Sequence, residues 1–221
     1  MAFPTTSVLD QFNRADGALG AAWSGAIPQS GDPQPTILSN VVQFGSNHRS
    51  VWWNAGTFGP DSEVFGVVST KPTNAAGWLS LYARIQSPGS AAWDGYRLEF
   101  GPLSGTDELT VDRMINNAST TLATITQEIN AGDQIGMEVT GTGATVTIRV
   151  YRHNGTSWAQ IGSDVSDTDA NRITAAGYIG FGAFESTPAA RFDDFGGGTV
   201  SVAGATSLLV PRRATRGLVM R

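Results

Sequence analysis

Apolar and polar residues alternate along most of the chain, and a period of two residues is typical of antiparallel β-strands with one buried face. The alternation is clearest over residues 79–86, 96–100 and 144–151, and Gly141-Thr142-Gly143 ahead of the last of these predicts a tight hairpin. No window has the period of an amphipathic helix. The pattern predicts an all-β fold of about a dozen short strands, arranged as an antiparallel two-sheet β-sandwich.

Further strands are predicted where β-branched and aromatic residues are enriched. One of them contains adjacent Trp52 and Trp53, which a strand places on opposite faces, so we expect one in the core and the other exposed or in a groove. An acidic loop is predicted over residues 164–172. The further predicted strands are residues 36–44, 48–53, 63–70, 108–115, 121–125, 134–140, 158–161 and 178–184.

The two ends of the predicted sandwich carry matching fragments. Each fragment spaces two large apolar residues three positions apart, with acidic or amide residues between them. Strict alternation would put such a pair on opposite faces, so a β-bulge or a two-sided environment is predicted. We expect the fragments to form neighbouring strands that join the ends of the domain. They contain Leu9 and Phe12 near the amino terminus, and Phe192 and Phe195 in a strand over residues 190–195 that the triplet Gly196, Gly197 and Gly198 is expected to end.

These ends resemble a known family. The run Asp-x-Phe-Asn-Arg-x-Asp-Gly-x-Leu at residues 10–19 and the run Arg-Phe-Asp-Asp-Phe-Gly at residues 191–196 are similar to concanavalin A-like and laminin G-like jelly rolls. Within that group the chain is most similar to domains of phage minor tail proteins and bacterial surface proteins. The resemblance covers residues 7–198 and implies a concanavalin A-like jelly roll. It also implies a noncatalytic virion structural protein, a minor tail protein that adheres to a host cell-surface glycan; a capsid decoration or head-fibre protein is the alternative.

Charge divides the chain into an acidic body and a basic tail. Residues 199–221 contain four arginines and no acid, which leaves −9 on residues 1–198 out of a total of −5. We therefore predict a sandwich over 1–198 and an assembly tail over 199–221 that docks on other virion proteins or on copies of itself. The alternative is a tail that folds back on its own domain. The residues expected to make the docking contacts are Leu208, Leu209, Val210, Arg212, Arg213 and Arg216.

Composition excludes several partners and routes. The chain has no cysteine, which excludes disulfides and thiol chemistry, and its acidic balance disfavours nucleic acid. No run of about 18 apolar residues suggests a membrane span, and the amino terminus lacks the pattern of a secretion signal. We expect synthesis in the host cytoplasm and a final location in the phage particle, in the tail rather than the head.

Catalytic motifs are missing from the sequence. Hydrolases among the concanavalin A-like sandwiches carry Glu-x-Asp-x-x-Glu on one strand, and this chain has no such run. His48 and His153 are its two histidines, and there is no Gly-x-Ser-x-Gly elbow. We predict a protein that is not an enzyme; a carbohydrate-active enzyme with carboxylates from distant strands is the alternative.

Calcium is the metal that the resemblance brings into question, because related jelly rolls often bind it through loop and terminal-strand oxygens. The first acidic set is Asp10, Asp193 and Asp194, for which the alternative is pairing with Arg14 and Arg191. The second set, for which the alternative is a solvated turn, is Asp164, Asp167 and Asp169. No cofactor is required by this prediction, and calcium is left open.

Aromatic residues beside loops are the candidate sugar-stacking groups. They have polar neighbours that could bind hydroxyl groups, although aromatic residues of a sandwich also serve as core. The candidates are Trp53, Trp78, Trp93 and Trp158.

Overall fold

The computed structural model describes residues 2–27, 33–73, 77–101, 106–185 and 189–200, with Asn47 and Glu185 described by their backbone alone. The six residues predicted to dock the tail lie outside this part of the chain. Within it no segment forms a helix, and a helix long and apolar enough to span a membrane is accordingly not found among these residues.

Sixteen strands are present among the described residues. They are β1 (Val8–Asp10), β2 (Gly17–Ala18), β3 (Trp23–Gly25), β4 (Thr36–Leu38), β5 (Val41–Gln43), β6 (Asn47–Trp53), β7 (Ser62–Thr70), β8 (Trp78–Gln86), β9 (Asp94–Gly101), β10 (Glu108–Ile115), β11 (Ala118–Thr126), β12 (Gln134–Thr140), β13 (Val146–His153), β14 (Trp158–Asp167), β15 (Tyr178–Glu185) and β16 (Arg191–Thr199).

The strands form two antiparallel sheets that pack face to face, and the predicted β-sandwich is confirmed. The nine-stranded sheet has the order β14-β13-β12-β7-β16-β5-β4-β2, with β1 also paired to β16. The seven-stranded sheet has the order β11-β10-β9-β8-β15-β6-β3. The hairpin predicted at residues 141–143 joins β12 to β13. Apolar residues from the facing sides of both sheets form one core between them.

The two ends of the sandwich meet as predicted. β1 pairs with β16 through Val8 opposite Gly196 and Asp10 opposite Phe195, with a shift of register between the two pairs. Phe12 and Phe195 lie 5.9 and 5.4 Å from the ring of Phe181 in the core. The shift is the irregularity that the three-residue spacing predicted.

The glycine triplet does not end the last strand, and that prediction is wrong. Gly196, Gly197 and Gly198 lie inside β16, paired with β7. A Cβ atom on Gly196 would collide with the ring of Phe65, so glycine lets that ring cover the strand. The triplet is a place of close approach rather than a terminator.

The acidic segment predicted as a loop is in part a strand. β14 extends to Asp167 because its acidic side chains have partners: Asp164 is bonded to Arg149, and Asp167 accepts from Tyr96. Trp52 and Trp53 take opposite faces as predicted, since Trp53 packs against the main core and Trp52 against a cluster on the outside of the seven-stranded sheet.

Candidate functional site

The outer face of the seven-stranded sheet holds a groove around Trp78. Alternate residues of a strand share a face, so Trp78 and Tyr82 of β8 point outward together. They line a depression of about 310 Å³, which we call the Trp78 groove. Its other lining residues are His48, Trp93, Arg97, Met114 and Asn117.

Two tryptophans that the sequence singled out meet in this groove. Trp93 is buried, and its indole Nε1 donates to Asn117 Oδ1 at 2.8 Å. Trp78 is only half-buried; its ring lies 5.3 Å from His48, and the guanidinium of Arg97 lies 5.8 Å from its centroid. Trp93 is therefore a fixed wall, while Trp78, on which the ring of Phe184 stacks at 5.8 Å, stays partly exposed at the groove.

Arg97 is held in place by one acid of its own strand, Glu99 of β9, and by one acid of the neighbouring strand, Asp112 of β10. Its Nη2 donates to Asp112 at 2.7 Å, and its Nη1 lies 2.9 Å from Glu99 Oε2. Burial raises the pKa of Glu99, which Arg97 partly opposes. Burial also raises the pKa of Tyr82 to about 12, so its phenol is neutral at physiological pH. The formal charges of Arg97, Glu99 and Asp112 sum to −1. The positive charge of Arg97 is therefore compensated by its two carboxylate partners.

One further hydroxyl adds to the polar side of this face. Ser80 lies between Trp78 and Tyr82 on β8, opposite Glu99 of β9. Its Oγ is buried and makes no hydrogen bond of normal geometry to the described residues, although it lies close enough to the phenol of Tyr82 to act against the rise in the pKa of that group.

The other two candidate tryptophans lie elsewhere. Trp53 packs edge to face with Trp23 at 5.2 Å, against the core. Trp158 lies on the outer face of the nine-stranded sheet, in a larger depression of about 750 Å³ that we call the Trp158 cavity. The structure thus brings together Trp78 and Trp93 and separates them from Trp53 and Trp158.

The sequence analysis did not single out Arg97, Tyr82 or Asn117. Alternation indicated that Arg97 and Tyr82 each lie on the face of their strand that points away from the core. Their proximity depends on the pairing of β8 with β9, which places them directly opposite each other. A register cannot be read from one strand alone, so no sequence signal could have joined them.

The first acidic set does not form a cation site around Asp10. Arg14 and the indole of Trp23 donate to its oxygens at 2.7 to 2.9 Å, as does the backbone of Phe12. Burial alone would raise the pKa of Asp10, but these hydrogen bonds outweigh it and lower the pKa. The pairing with Arg14 that was the alternative is therefore present, and Asp10 does not fit a cation.

Asp193 and Asp194 remain as an acidic pair. Burial raises the pKa of both carboxyl groups, and the charges of Asp194 and Asp10 act in the same direction on Asp193. The second set is divided among Arg149 and Arg113. In the part of the chain that is described, no three acidic or histidine side chains are grouped to hold a metal ion.

No protein-family model matches the chain, and no curated protein sequence matches it significantly. Solved structures do match it in fold. The carbohydrate-binding module CBM66 from Bacillus subtilis is 14% identical with a TM-score of 0.52, over 81% of this chain and 94% of that one. The exoplasmic/lumenal domain of VIP36, in a Ca²⁺- and Man3GlcNAc-bound form, is 14% identical with a TM-score of 0.55, over 83% and 85%.

A xylan β-1,4-xylosidase from Bacillus halodurans C-125 is also similar. It is 13% identical with a TM-score of 0.57, and the match covers 86% of this chain but 38% of the enzyme. At these identities the likeness shows the fold alone. The chain has the concanavalin A-like jelly-roll sandwich that its ends predicted.

Proposed function

We propose that this domain is a noncatalytic carbohydrate-binding domain and that the Trp78 groove holds the sugar. The observation that carries the proposal is the convergence of Trp78, Trp93, Arg97 and Asn117 on one depression. A sugar ring has an apolar face, which packs on an aromatic ring, and an edge of hydroxyl groups, which need fixed donors and acceptors. The groove supplies an aromatic ring and fixed polar groups side by side.

Each residue has a distinct part in this proposal. The partly exposed ring of Trp78 packs on the apolar face of the sugar, and Arg97 donates hydrogen bonds to the sugar hydroxyl groups. Glu99 and Asp112 are positioning residues, because they hold the guanidinium of Arg97. Since those two carboxylates compensate Arg97, the groove favours a neutral sugar over one that carries a carboxylate or sulfate.

The noncatalytic hypothesis is supported by the contacts of the two acids that hold Arg97. Asp112 accepts from Arg97 with one oxygen and from Thr121 with the other, and Glu99 also contacts Arg97. A glycoside hydrolase needs a proton donor and a second carboxylate on either side of the scissile bond. Release of reducing ends from a bound polysaccharide would favour the alternative, a carbohydrate-active enzyme.

The binding proposal is consistent with the nature of the structural neighbours. CBM66 is a carbohydrate-binding module, and the VIP36 domain carries Man3GlcNAc in its structure. That structure also contains Ca²⁺. Of the predicted calcium ligands that the structure describes, Asp193 and Asp194 are the pair still available, and the groove needs no metal for the contacts named here.

For the biological setting we infer a phage virion, most simply the tail, with attachment to a host cell-surface glycan. The support is the resemblance of the chain's two ends to minor tail domains. A capsid decoration or head-fibre protein would use the same domain at another place. The tail over 199–221 is the proposed contact with other virion proteins or with copies of this chain.

The tail proposal has its own test. Because β16 extends to Thr199 and the backbone N–H of Val200 donates to Asp61, the chain should be shortened after Val200. The shortened protein is expected to stay folded and to lose self-association or virion incorporation, measured by light scattering and particle reconstitution. Unfolding on truncation would show instead that the tail belongs to its own domain.

The test of the groove uses a panel of neutral hexasaccharides of glucose, mannose, xylose and N-acetylglucosamine, with titration calorimetry on the full chain. Trp78→Ala is expected to weaken binding roughly tenfold or more, and Trp78→Phe less, because a smaller ring keeps part of the stacking. Trp53→Phe is the matched control, since Trp53 packs against the core. Unchanged binding by Trp78→Ala would refute the groove as the site.

A further inference from the structure

The Trp158 cavity lies on the face of the sandwich opposite the Trp78 groove. Its volume of about 750 Å³ is within the range of roughly 300 to 1,000 Å³ that is usual for ligand-binding pockets. It is formed where the amino-terminal segment, with Ala2 and Phe3, crosses the outer face of the nine-stranded sheet. None of its residues belongs to the Trp78 groove.

Strand register builds the polar floor of this cavity. Glu138 of β12 lies opposite Arg149 of β13, and Tyr151 of β13 lies opposite Gln160 of β14. The pairing of β13 with β14 then shifts, which brings Asp164 beside Arg149. Five outward side chains from three strands therefore share one surface.

Aromatic rings form the wall of the cavity. Phe3 stacks on Tyr151 with centroids 4.1 Å apart and planes 4° apart. Trp158 meets Phe3 edge to face at 4.9 Å and is only half-buried. Gly136 lies beneath Phe3, where a Cβ atom would collide with its ring. The wall is thus a packed unit rather than a set of loose rings.

The polar floor is organised in advance of any ligand. Arg149 donates to Asp164 at 2.9 and 3.0 Å and to Glu138 at 3.2 Å. Tyr151 donates to Glu138 at 3.2 Å, and Gln160 donates to Asp164 at 2.9 Å. Asp164 is nevertheless 47% exposed and Arg149 30% exposed. The Nε–H of Arg149 is shared between the two oxygens of Asp164, at 3.0 and 3.1 Å, so three N–H groups donate to four lone pairs and Asp164 can still accept from a ligand hydroxyl.

Charge selects the class of ligand. The cavity has two carboxylates and one guanidinium in its lining. Beside Glu138, opposite it in the sheet, lies Glu63, which is 1% exposed; its Oε1 accepts from the backbone of Thr5 and Thr6, and its buried Oε2 has no partner among the described residues. An anionic sugar would add a like charge to this surface, whereas neutral hydroxyl groups can donate to it.

We propose that the Trp158 cavity is a second binding site for a neutral saccharide, with Trp158 as the stacking ring and Asp164 and Arg149 as the hydroxyl-binding pair. This extends the proposed carbohydrate-binding function to a second, structurally separate site. Because the sites lie on opposite sheets, one domain holds two glycan chains at once. Two weak contacts of this kind raise the strength of attachment to a surface that displays many chains.

The test uses the same neutral hexasaccharides, with acidic hexamers of galacturonate as the charged comparison. Titration calorimetry of the full chain is expected to give two sites per domain. Trp158→Ala and, separately, Asp164→Asn are each expected to remove one site, with affinity lost roughly tenfold or more. Asp164→Asn keeps the shape of the side chain, and Glu108→Gln, which removes the same charge from the other sheet, is the matched control.

The outcomes separate the two proposals. Loss of one site in Trp158→Ala and of the other in Trp78→Ala supports both. If Trp78→Ala removes all binding and the two cavity variants bind like wild type, the second site is refuted and the groove stands. If the cavity variants remove all binding and Trp78→Ala does not, the groove is refuted and the cavity stands. Galacturonate hexamers that bind at the cavity as tightly as neutral ones would overturn the charge argument.

Discussion

The phenol of Tyr96 donates a hydrogen bond of 2.8 Å to the carboxylate of Asp167 and so joins the two sheets through the interior. Arg113 donates to the other oxygen of Asp167, also at 2.8 Å. All three side chains are buried. A charge pair in this position holds the sheets in one relative placement, because each member loses its partner if they slide.

Asp167→Asn is therefore expected to destabilise the fold by about 3 to 5 kcal/mol, because it removes the buried carboxylate of Arg113 and leaves that buried guanidinium only the longer contact with the exposed Asp169. Tyr96→Phe removes one hydrogen bond and should cost less, about 1 to 3 kcal/mol. Urea unfolding measures both. Asp169→Asn is the control, since Asp169 contacts the same arginine at 3.3 Å but is 45% exposed; a loss as large as that of Asp167→Asn would contradict the importance of burial.

Alkaline pH provides a test of the buried face under the groove. Burial raises the pKa of Tyr82 to about 12, against about 10 for an unfolded tyrosine. The buried phenol therefore contributes its full stability below about pH 10, and that contribution is lost as the pH rises through about 12. Wild type is expected to lose up to about 3 kcal/mol more than Tyr82→Phe over this window. Parallel curves of unfolding free energy against pH would show that Tyr82 is not desolvated.

Packing of the amino-terminal segment depends on the absence of a Cβ atom at Gly136. Gly136→Ala is expected to displace the Phe3 ring and to cost about 1 to 3 kcal/mol, with weaker binding at the Trp158 cavity. Gly143→Ala is the matched control, because nothing lies within 4 Å of a Cβ there. Thermal melts and calorimetry measure the two effects. Equal stability of both variants would mean that Phe3 does not need the space over Gly136.

The acidic pair in β16 opposes folding at neutral pH. Because burial raises the pKa of Asp193 above its unfolded value, its stabilising contribution exists at low pH and is lost as the pH rises through the folded pKa. Asp193→Asn is expected to raise the melting temperature at neutral pH and to have little effect near pH 3, below the unfolded value of about 3.9. A lower melting temperature at neutral pH would refute this account.

Calcium is tested on the same pair. A cation bound by Asp193 and Asp194 raises the melting temperature of wild type and not that of the double variant Asp193→Asn with Asp194→Asn. Melting curves that coincide in calcium and in a chelator would exclude the predicted site. The measurement uses the apo chain prepared with a chelator, and magnesium serves as the control for a general effect of divalent ions.

Alternation predicted strands and faces well, because a period of two residues decides which side chains point together. It placed Trp52 and Trp53 on opposite faces. The alternation predicted over residues 79–86 breaks at Arg84, which is fully buried because the register of β8 shifts after Ala83. Alternation could not show that Tyr82 would be 1% exposed on an outer face. Ile27, whose backbone N–H donates to Ser50, packs over that face from a distant loop, and such cover leaves no periodic trace in β8.

Which strands pair, and in which register, could not be predicted from a single sequence. Trp78 and Trp93 meet because β8 and β9 form a hairpin, whereas Trp158 is carried to the other sheet by β14. The prediction that the glycine triplet ends the strand was wrong because it also depended on a neighbouring strand. Gly196 was interpreted from its freedom to turn, but its place in β16 is set by the ring of Phe65 above it.

The pairing of β1 with β16 has a consequence for how such a domain is used. The chain enters and leaves the sandwich on hydrogen-bonded neighbours, so its two attachment points lie side by side. A domain with this property can be inserted into a surface loop of another polypeptide without forcing the ends of that loop apart. Such a sandwich can be joined to a larger protein at one point while the outer faces of both sheets stay exposed to solvent.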